Sequence, residues 1–283
     1  MELPVGVALL VLLAAVLHAS WNVLVKIGGD RLLVQTTIIG TGSLACALLL
    51  PTVGLPSVES WPFIVASVVV HNVYFFFLLR AYAVGDLSQV YPIARGTSPL
   101  VVALLAGPLA GERLLPSGYL GATLVTVGIA SLASGRRAVG DRRAVTYALV
   151  TGLLIAAFTL IDGIGIRRSA DALSFILWMQ ALEIVPLGAF VLLFRRARLR
   201  PFLAMNGARG VLGGMLGGIM AATAYALVLW AYSRAALAPV SALRETSVVM
   251  AAIFGAVSLG EPFGVRRVVA AMVVVLGVAL LNL

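Results

Sequence analysis

The stretch ARGTSPL at residues 94–100 returns as LRETSVV at residues 243–249. The similarity extends without a gap, so that residues 94–132 align with residues 243–281. An arginine, a Thr-Ser pair and a Gly-Glu pair recur in the same order and at the same separation. Chance matches of alanine and valine are expected in any apolar chain, but an ordered match of polar residues is not. The sequence therefore predicts two copies of one structural unit.

The composition indicates a membrane protein. Of 283 residues, 61% are hydrophobic and 11% are charged, and the mean hydropathy is +1.09. A helix needs about 20 apolar residues to cross a bilayer core of about 30 Å. Ten such runs are predicted, at residues 4–25, 32–51, 62–83, 87–110, 117–134, 145–165, 173–194, 210–232, 236–259 and 264–282.

Each half of the chain then holds five spans, and five is an odd number. The second half must enter the membrane from the side opposite to the first, which gives an inverted repeat. The predicted fold is thus all-α and integral to the membrane, with ten transmembrane helices in two inverted five-helix repeats. The first repeat covers residues 1–134, a basic connecting loop covers residues 135–144, and the second repeat covers residues 145–283. In such architectures the substrate site lies near the membrane midplane, between the halves.

The basic residues lie mainly in the connections. A net charge of +9 would suggest nucleic acid in a soluble protein, but here we expect contact with lipid headgroups and no nucleic-acid partner. Fourteen Lys and Arg side chains fall on one side and four on the other, which predicts a cytoplasmic location for the fourteen and both termini outside. Cys46 is the single cysteine, so no disulfide within the chain and no thiolate metal cluster can form.

The two halves close on similar sequences, GERLLPSGYLGATLVTVGIASL at residues 111–132 and GEPFGVRRVVAAMVVVLGVALL at residues 260–281. With these motifs, the 5+5 duplication resembles the drug/metabolite transporter superfamily, specifically its EamA branch. The segments HASWNVLVK and IDGIG also look like bacterial members of that branch. The resemblance covers essentially the whole chain. It implies a carrier of small metabolites in a bacterial inner membrane, with amino-acid exporters among its relatives. It also implies a cavity lined mainly by the third, fourth, eighth and ninth spans. We expect no cofactor and a monomer, with a homodimer as the alternative.

Arg95 and Arg244 are repeat-equivalent cations inside predicted spans. A charge at the bilayer centre costs at least about 2.5–3.5 kcal/mol, so such residues face a cavity or a partner. One hypothesis is that they hold a substrate carboxylate. The alternative is that both are structural, tied to backbone carbonyls, Glu245 or Glu183. Adjacent helical residues point about 100° apart, so Glu245 is predicted to meet Arg95 or a substrate ammonium rather than Arg244.

Further candidates for substrate contact share helical faces with one another or with the arginines. The third span is rich in rings, and one of its helical faces carries His71, Tyr74, Phe75, Leu78 and Tyr82. Aromatic faces attract apolar groups and ammonium, although such a stripe is more often packing. The remaining substrate-binding candidates are Tyr91, Ser241, Tyr74, Tyr82, His71, Tyr225, Trp21 and Asn22.

Three more ionisable residues are candidates for coupling or ion pairing: His18, Asp162 and Glu183. For Asp162 we favour an ion pair with Lys26, Arg167 or Arg168 near the helix end. Glu112 and Glu261 lie where the fourth and ninth spans leave the membrane and are predicted to cap helix ends or form a gate.

The predicted function is a secondary transporter, an exporter or a facilitator, with amino acids as the leading substrate class. An organophosphonate or another anionic metabolite is the alternative substrate. A membrane enzyme is the alternative from another functional class, because DGIGIRR at residues 162–168 resembles the DG-x-x-AR opening of phosphatidyl-alcohol transferases. The spaced aspartates that would bind a metal there are missing, so we expect neither an enzyme nor a metal site. A structural role would not explain paired internal arginines.

Overall fold

A computed structural model of the protein describes residues 3–25, 30–85, 87–133, 142–250 and 265–281, with backbone alone at 22–25, 87–89, 208–209 and 267. This part of the chain is helical and contains no strand. Its helices are α1 (Val5–Val25), α2 (Arg31–Leu49), α3 (Trp61–Val84), α4 (Leu87–Ala110), α5 (Pro116–Ser131), α6 (Arg142–Arg168), α7 (Ala172–Phe194), α8 (Arg196–Tyr232), α9 (Leu237–Arg244) and α10 (Val265–Leu280).

Six of the described helices are long and apolar enough to cross a membrane by themselves: α2 with the turn after it, α3, α4, α6, α7 and the second part of α8. The apolar parts of α1 and α10 are shorter, at Val5–Trp21 and Val268–Leu280. Helix α5 has 16 residues, or about 24 Å at 1.5 Å per residue. A helix lies in every predicted span, but residues 251–264, in the ninth span and the loop after it, are outside the described part. Ten crossings therefore stay a prediction.

Residues 195–209, the predicted connection between the seventh and eighth spans, are largely helical. Helix α8 begins at Arg196 and is broken at Gly207, which has φ 57° and ψ −172°. This positive φ is readily accessible to glycine. The first part of α8 packs Leu199 and Phe202 against α2 and leaves Arg196 and Arg200 exposed. It is a surface helix with one apolar side, which a hydropathy window does not separate from a polar loop.

The two halves pack against each other in matching pairs. Helix α3 lies on α6, and α8, its counterpart in the second half, lies on α1, the counterpart of α6. In the same way, the contact between α4 and α6 matches the contact between α9 and α1. The contact between α3 and α7 matches the contact between α8 and α2. Helices α5 and α10 pack on each other, as do α2 and α7. This is the contact pattern of two similar units related by a twofold axis.

Equivalent helices of the two halves run antiparallel. In the pair α5 and α10, Gly121 lies beside Gly277, whereas Gly128, further along α5, lies beside Ala270, which is earlier in α10. A Cβ on Gly121 would sit 2.5 Å from the carbonyl oxygen of Gly277, so only glycine allows this approach. In the pair α2 and α7, the Ser43 hydroxyl donates to the Gln180 carbonyl over 2.6 Å. The two halves are therefore oriented in opposite directions.

Repeat-equivalent aspartates begin α2 and α7. The Asp30 carboxylate accepts the Leu32 N–H over 3.1 Å, and the Asp171 carboxylate accepts the Ser174 N–H over 2.8 Å. Each satisfies a backbone donor that the first turn of a helix leaves free. The second helix of each half thus starts by the same local chemistry.

Candidate functional site

A cavity lies between the halves and is lined by side chains from α1–α4 and α6–α9. These residues lie between the middle of the bundle and the end where α2 begins and α7 ends. Toward the opposite end the interior is filled by packed side chains such as Ile166, Phe175, Tyr232 and Leu237, all at most 2% exposed. The cavity therefore occupies one half of the bundle, and the other half is closed.

Arg95, Arg244 and Glu245 form a buried cluster at this cavity, with exposures of 6%, 4% and 0%. Arg95 Nη1 lies 3.3 Å from Glu245 Oε2, and Arg244 Nη2 lies 2.8 Å from Glu245 Oε1. Both guanidinium groups thus share one carboxylate. With both arginines and the glutamate ionised, the cluster carries a net charge of +1.

The prediction that Glu245 would not pair with Arg244 is wrong. Arg244 donates to Glu245 through Nη2 and also through Nε, over 3.1 Å. Helix α9 ends at Arg244, and Glu245 and Thr246 form a turn. The angle of about 100° separates the Cβ directions, but the two long side chains bend toward each other beyond the helix end. The predicted contact between Glu245 and Arg95 is present.

Other polar and aromatic groups complete the arginine end of the cavity. Arg95 Nη2 donates to His18 Nε2. Because guanidinium has only donors, His18 accepts through Nε2 and is neutral there. The Tyr91 ring lies 5.6 Å from the Arg95 guanidinium, and the Phe158 ring lies 5.8 Å from that of Arg244.

The aromatic face predicted on the third span borders the cavity. Its five members all line it: His71, Tyr74, Phe75, Leu78 and Tyr82. The His71 ring stacks on Phe158 with centroids 3.9 Å apart, and its Nδ1 lies 3.0 Å from the Ser67 carbonyl. The Ser67 hydroxyl lies 3.2 Å from the same nitrogen. Whether these residues touch a substrate stays a prediction.

Glu183 lies on the cavity wall with Gln35, Ser43 and Gln180. Among the residues that the structure describes, the Glu183 carboxylate has no ion pair and no hydrogen-bond donor, although its backbone carbonyl accepts from Asn72 over 3.1 Å. The alternative in which Glu183 neutralises an arginine is therefore wrong for this part of the chain. Gln180 Nε2 is likewise buried without a partner there.

Asp162 is 0% exposed and lies behind the cavity wall, where its Oδ2 accepts from the Tyr225 hydroxyl. The favoured ion pair with Arg167 or Arg168 is absent. These arginines are five and six residues further along α6, about 140° and 240° around the helix axis, so they point away from Asp162. Lys26, the third predicted partner, lies outside the described residues.

Glu112 joins the two halves at the closed end. Its carboxylate lies 2.8 Å from Arg167 Nη2 and accepts the N–H of Leu237 at the start of α9 over 2.8 Å. Arg167 also donates to the backbone carbonyls of Tyr232 and Ala235. Glu112 thus caps the start of α9 and forms an ion pair with Arg167 of α6, both in the other half. The predicted capping contact is present, and a role of Glu112 as a gate stays a prediction. Glu261, its repeat equivalent, lies outside the described residues.

The remaining candidates divide between lining and non-lining positions. Trp21 and Tyr225 line the cavity. Ser241 is 0% exposed and does not, and the side chain of Asn22 lies outside the described part. No group of three metal-ligating side chains occurs among the residues described.

Sequence reasoning missed part of the lining. The expected cavity drew on the third, fourth, eighth and ninth spans, but α2 contributes as many residues as α3, among them Gln35, Gly42 and Ser43. Phe158 on α6 was also missed. Gln35 is an amide inside a predicted span and could have been singled out as polar, whereas nothing in an apolar run marks Phe158.

The comparisons with known proteins agree with this architecture. The EamA-like transporter family matches residues 6–134 and 142–283, one match for each half. A crystal structure of a protein 17% identical in sequence has a TM-score of 0.76, with 98% of each chain covered, and it shows the same fold. No match is found among curated proteins. Two matches that together span nearly the whole chain show that this protein belongs to the EamA-like transporter family.

Proposed function

We propose that this protein is a secondary carrier that moves amino acids across the membrane by alternating access, as an exporter or a facilitator. The single observation that carries the proposal is the cavity's polarity. Two arginines that share one carboxylate lie at one part of its wall, and a glutamate without an ion pair among the described residues lies at another. An α-amino acid carries a negative carboxylate and a positive ammonium group on one carbon atom, so it complements such a wall.

The arginine cluster suits a carboxylate. Its net charge of +1 is buried, and a buried charge without a counter-ion is costly. A substrate carboxylate would supply that counter-ion, and a guanidinium can bind it through two parallel hydrogen bonds. Arg95 and Arg244 are the proposed ligands, with Tyr91 beside them.

The part of the cavity wall that carries Glu183 suits an ammonium group. Glu183 offers a carboxylate with no partner among the described residues, and ring faces attract cations. Tyr74, Tyr82 and Tyr225 line the same cavity. They would contact the ammonium group or the substrate side chain.

The antiparallel packing of equivalent helices supports ten spans in two inverted repeats. We propose residues 1–134 and 145–283 as the five-helix units and residues 135–144 as the basic connection. Inverted units can exchange conformations, so that the closed end and the cavity end trade places. The carrier is proposed to work as a monomer in the inner membrane of a bacterium.

The test is counterflow of labelled amino acids in proteoliposomes that contain the purified protein. We expect exchange with the wild type and its loss in Arg95→Ala and in Arg244→Ala, assayed separately at equal incorporation. Arg80→Ala is the matched control, because Arg80 is exposed on α3, outside the cavity lining, and lies over the Phe76 ring. Full exchange in both cavity variants would contradict direct binding by the arginines, and no exchange with any amino acid would contradict the substrate class.

An anionic metabolite such as an organophosphonate is the second candidate, because the net charge of the arginine cluster favours an anion even without an ammonium group. Glu183 would repel such a substrate. Counterflow with a phosphonate in the wild type and in Glu183→Gln distinguishes the two candidates. If Glu183→Gln speeds phosphonate exchange and leaves amino-acid exchange unchanged, the anionic substrate is the better assignment.

A further inference from the structure

Asp162 is a buried carboxyl group that lies one side chain away from the cavity. It is 0% exposed, its Oδ2 accepts from the Tyr225 hydroxyl, and its Oδ1 has no hydrogen-bond partner among the described residues. Tyr225 itself lines the cavity. A proton can therefore pass between the cavity and Asp162 by way of a single hydroxyl group.

The groups that face Asp162 do not neutralise it. The closest polar and charged ones are Ser67 and His71 on α3, Glu183 on α7, Tyr225 and Tyr232 on α8, and Arg244 on α9. Arg244 is the cation of this set, and its guanidinium is already bound to Glu245. Arg95 on α4 is bound to the same carboxylate.

An ionised carboxylate is costly in this environment. Among the described residues it has no ion pair, and the groups that can donate to it are the hydroxyls of Tyr225 and Ser67. A buried charge needs a partner to offset its lost hydration, so burial favours the neutral acid. Asp162 can thus hold a proton inside the bundle without opening it to water.

The charge of the arginine cluster links this proton to the substrate. With Asp162 protonated, the cluster of Arg95, Arg244 and Glu245 stays at +1 and favours a carboxylate in the cavity. With Asp162 ionised, its own charge offsets that of Arg244, and a substrate carboxylate competes with it.

We infer that Asp162 is a proton-binding site and that its proton and the substrate carboxylate bind together. The linkage rests on the proposed function of the arginine cluster. Because thermodynamic linkage is reciprocal, the bound proton and the bound substrate each raise the affinity for the other by the same factor, typically about 5–150-fold.

One arm of the test needs no substrate. Infrared spectra of the purified protein are recorded across pH, and the stretching band of a neutral carboxyl group is compared between wild type and Asp162→Asn. We expect the neutral band at pH 7 to be smaller in Asp162→Asn by the contribution of one carboxyl group, because a neutral Glu183 would contribute equally in both proteins. A band of equal size in both proteins overturns the proton site.

A second variant keeps the proposal testable if Asp162→Asn does not fold. Tyr225→Phe removes the hydroxyl that donates to Asp162 Oδ2, and a lost donor disfavours the ionised form. We expect the neutral band to persist to higher pH in Tyr225→Phe than in wild type. An unchanged titration overturns the assignment of that band to Asp162.

The other arm measures the linkage by binding of a labelled amino acid across pH. Above the pH at which Asp162 ionises, we expect the wild-type Kd to rise with pH by no more than about tenfold per pH unit. We also expect the protein to take up a proton when the amino acid binds. Asp162→Asn should bind with a Kd that does not depend on pH. Asp171→Asn is the matched control, since Asp171 is an exposed helix cap that asparagine replaces well, and it should keep the wild-type dependence.

The outcomes separate the two proposals. Proton release on binding, or a pH dependence kept in Asp162→Asn, overturns the linkage. If no amino acid binds at any pH, the proposed substrate class fails, and the infrared arm still decides whether Asp162 holds a proton.

Discussion

Replacing Glu245 with glutamine should destabilise the protein more than replacing either arginine that it binds. Glu245 is 0% exposed and is the one carboxylate between Arg95 and Arg244 at 3.3 and 2.8 Å. The change Glu245→Gln preserves the shape but raises the charge of the buried cluster from +1 to +2. In contrast, Arg95→Gln lowers it to 0 and leaves one complete pair.

The magnitude follows from the pairs that are lost. At an effective dielectric constant of about 20, charges about 4 Å apart attract by about 4 kcal/mol, and Glu245→Gln removes two such attractions. The removed carboxylate no longer has to be desolvated, which offsets part of the loss. Removal of one partner from a buried pair costs about 3–5 kcal/mol net. We expect that cost for Glu245→Gln. For Arg95→Gln we expect about 1.5–3 kcal/mol, the value of a hydrogen bond to a charged group.

The assay is the free energy of unfolding in detergent micelles, measured by titration with a denaturant. The double variant Arg95→Gln with Glu245→Gln returns the cluster to +1, so its loss should be smaller than the sum of the two single losses. If Glu245→Gln is no less stable than Arg95→Gln, the two arginines do not depend on this carboxylate, and the description of the cluster is wrong.

Three further predictions concern the scaffold. Gly218→Ala should destabilise the protein by about 1–3 kcal/mol, because the new Cβ would lie 2.5 Å from a backbone carbonyl of α2. Gly213→Ala is the control and should not destabilise it, because there is open space around Gly213. Equal stability of the two variants in denaturant titrations would contradict this prediction. Glu112→Gln should speed hydrogen exchange at the start of α9, since it removes the ion pair with Arg167 that holds the cap in place, and unchanged exchange there means that the carbonyl contacts of Arg167 suffice. Asp171→Ala should cost about 1 kcal/mol of unfolding free energy by loss of the α7 cap, and no loss would show that the cap is dispensable.

Much of the fold could be predicted because it depends on patterns that repeat along the chain. Long apolar runs predicted the helices, and the ordered match around Arg95 and Arg244 predicted two similar halves, which the family matches confirm. The surface part of α8 was missed because it mixes arginines with leucine and phenylalanine. A hydropathy window averages such a helix to the value of a loop.

The site was predictable in composition and less so in geometry. Ionisable residues inside membrane spans are energetically costly, so the sequence indicates a functional or structural role for Arg95, Glu183 and Asp162. Their partners depend on side-chain paths that the sequence does not show. Glu245 pairs with its own neighbour because α9 ends there, and Asp162 meets Tyr225 because helix packing places α8, not a helix end, beside it.

The claim at the centre of this account is that the cavity holds a carboxylate at the arginine cluster and an ammonium group at Glu183. The most direct measurement is inhibition of amino-acid counterflow by two analogues of the transported amino acid, its carboxamide and its deaminated acid. The account predicts that both inhibit far more weakly than the amino acid itself. It further predicts that, in Glu183→Gln, the inhibition by the deaminated acid comes closer to that by the amino acid, whereas the difference between the carboxamide and the amino acid is unchanged. A carboxamide that inhibits as strongly as the amino acid would contradict the claim.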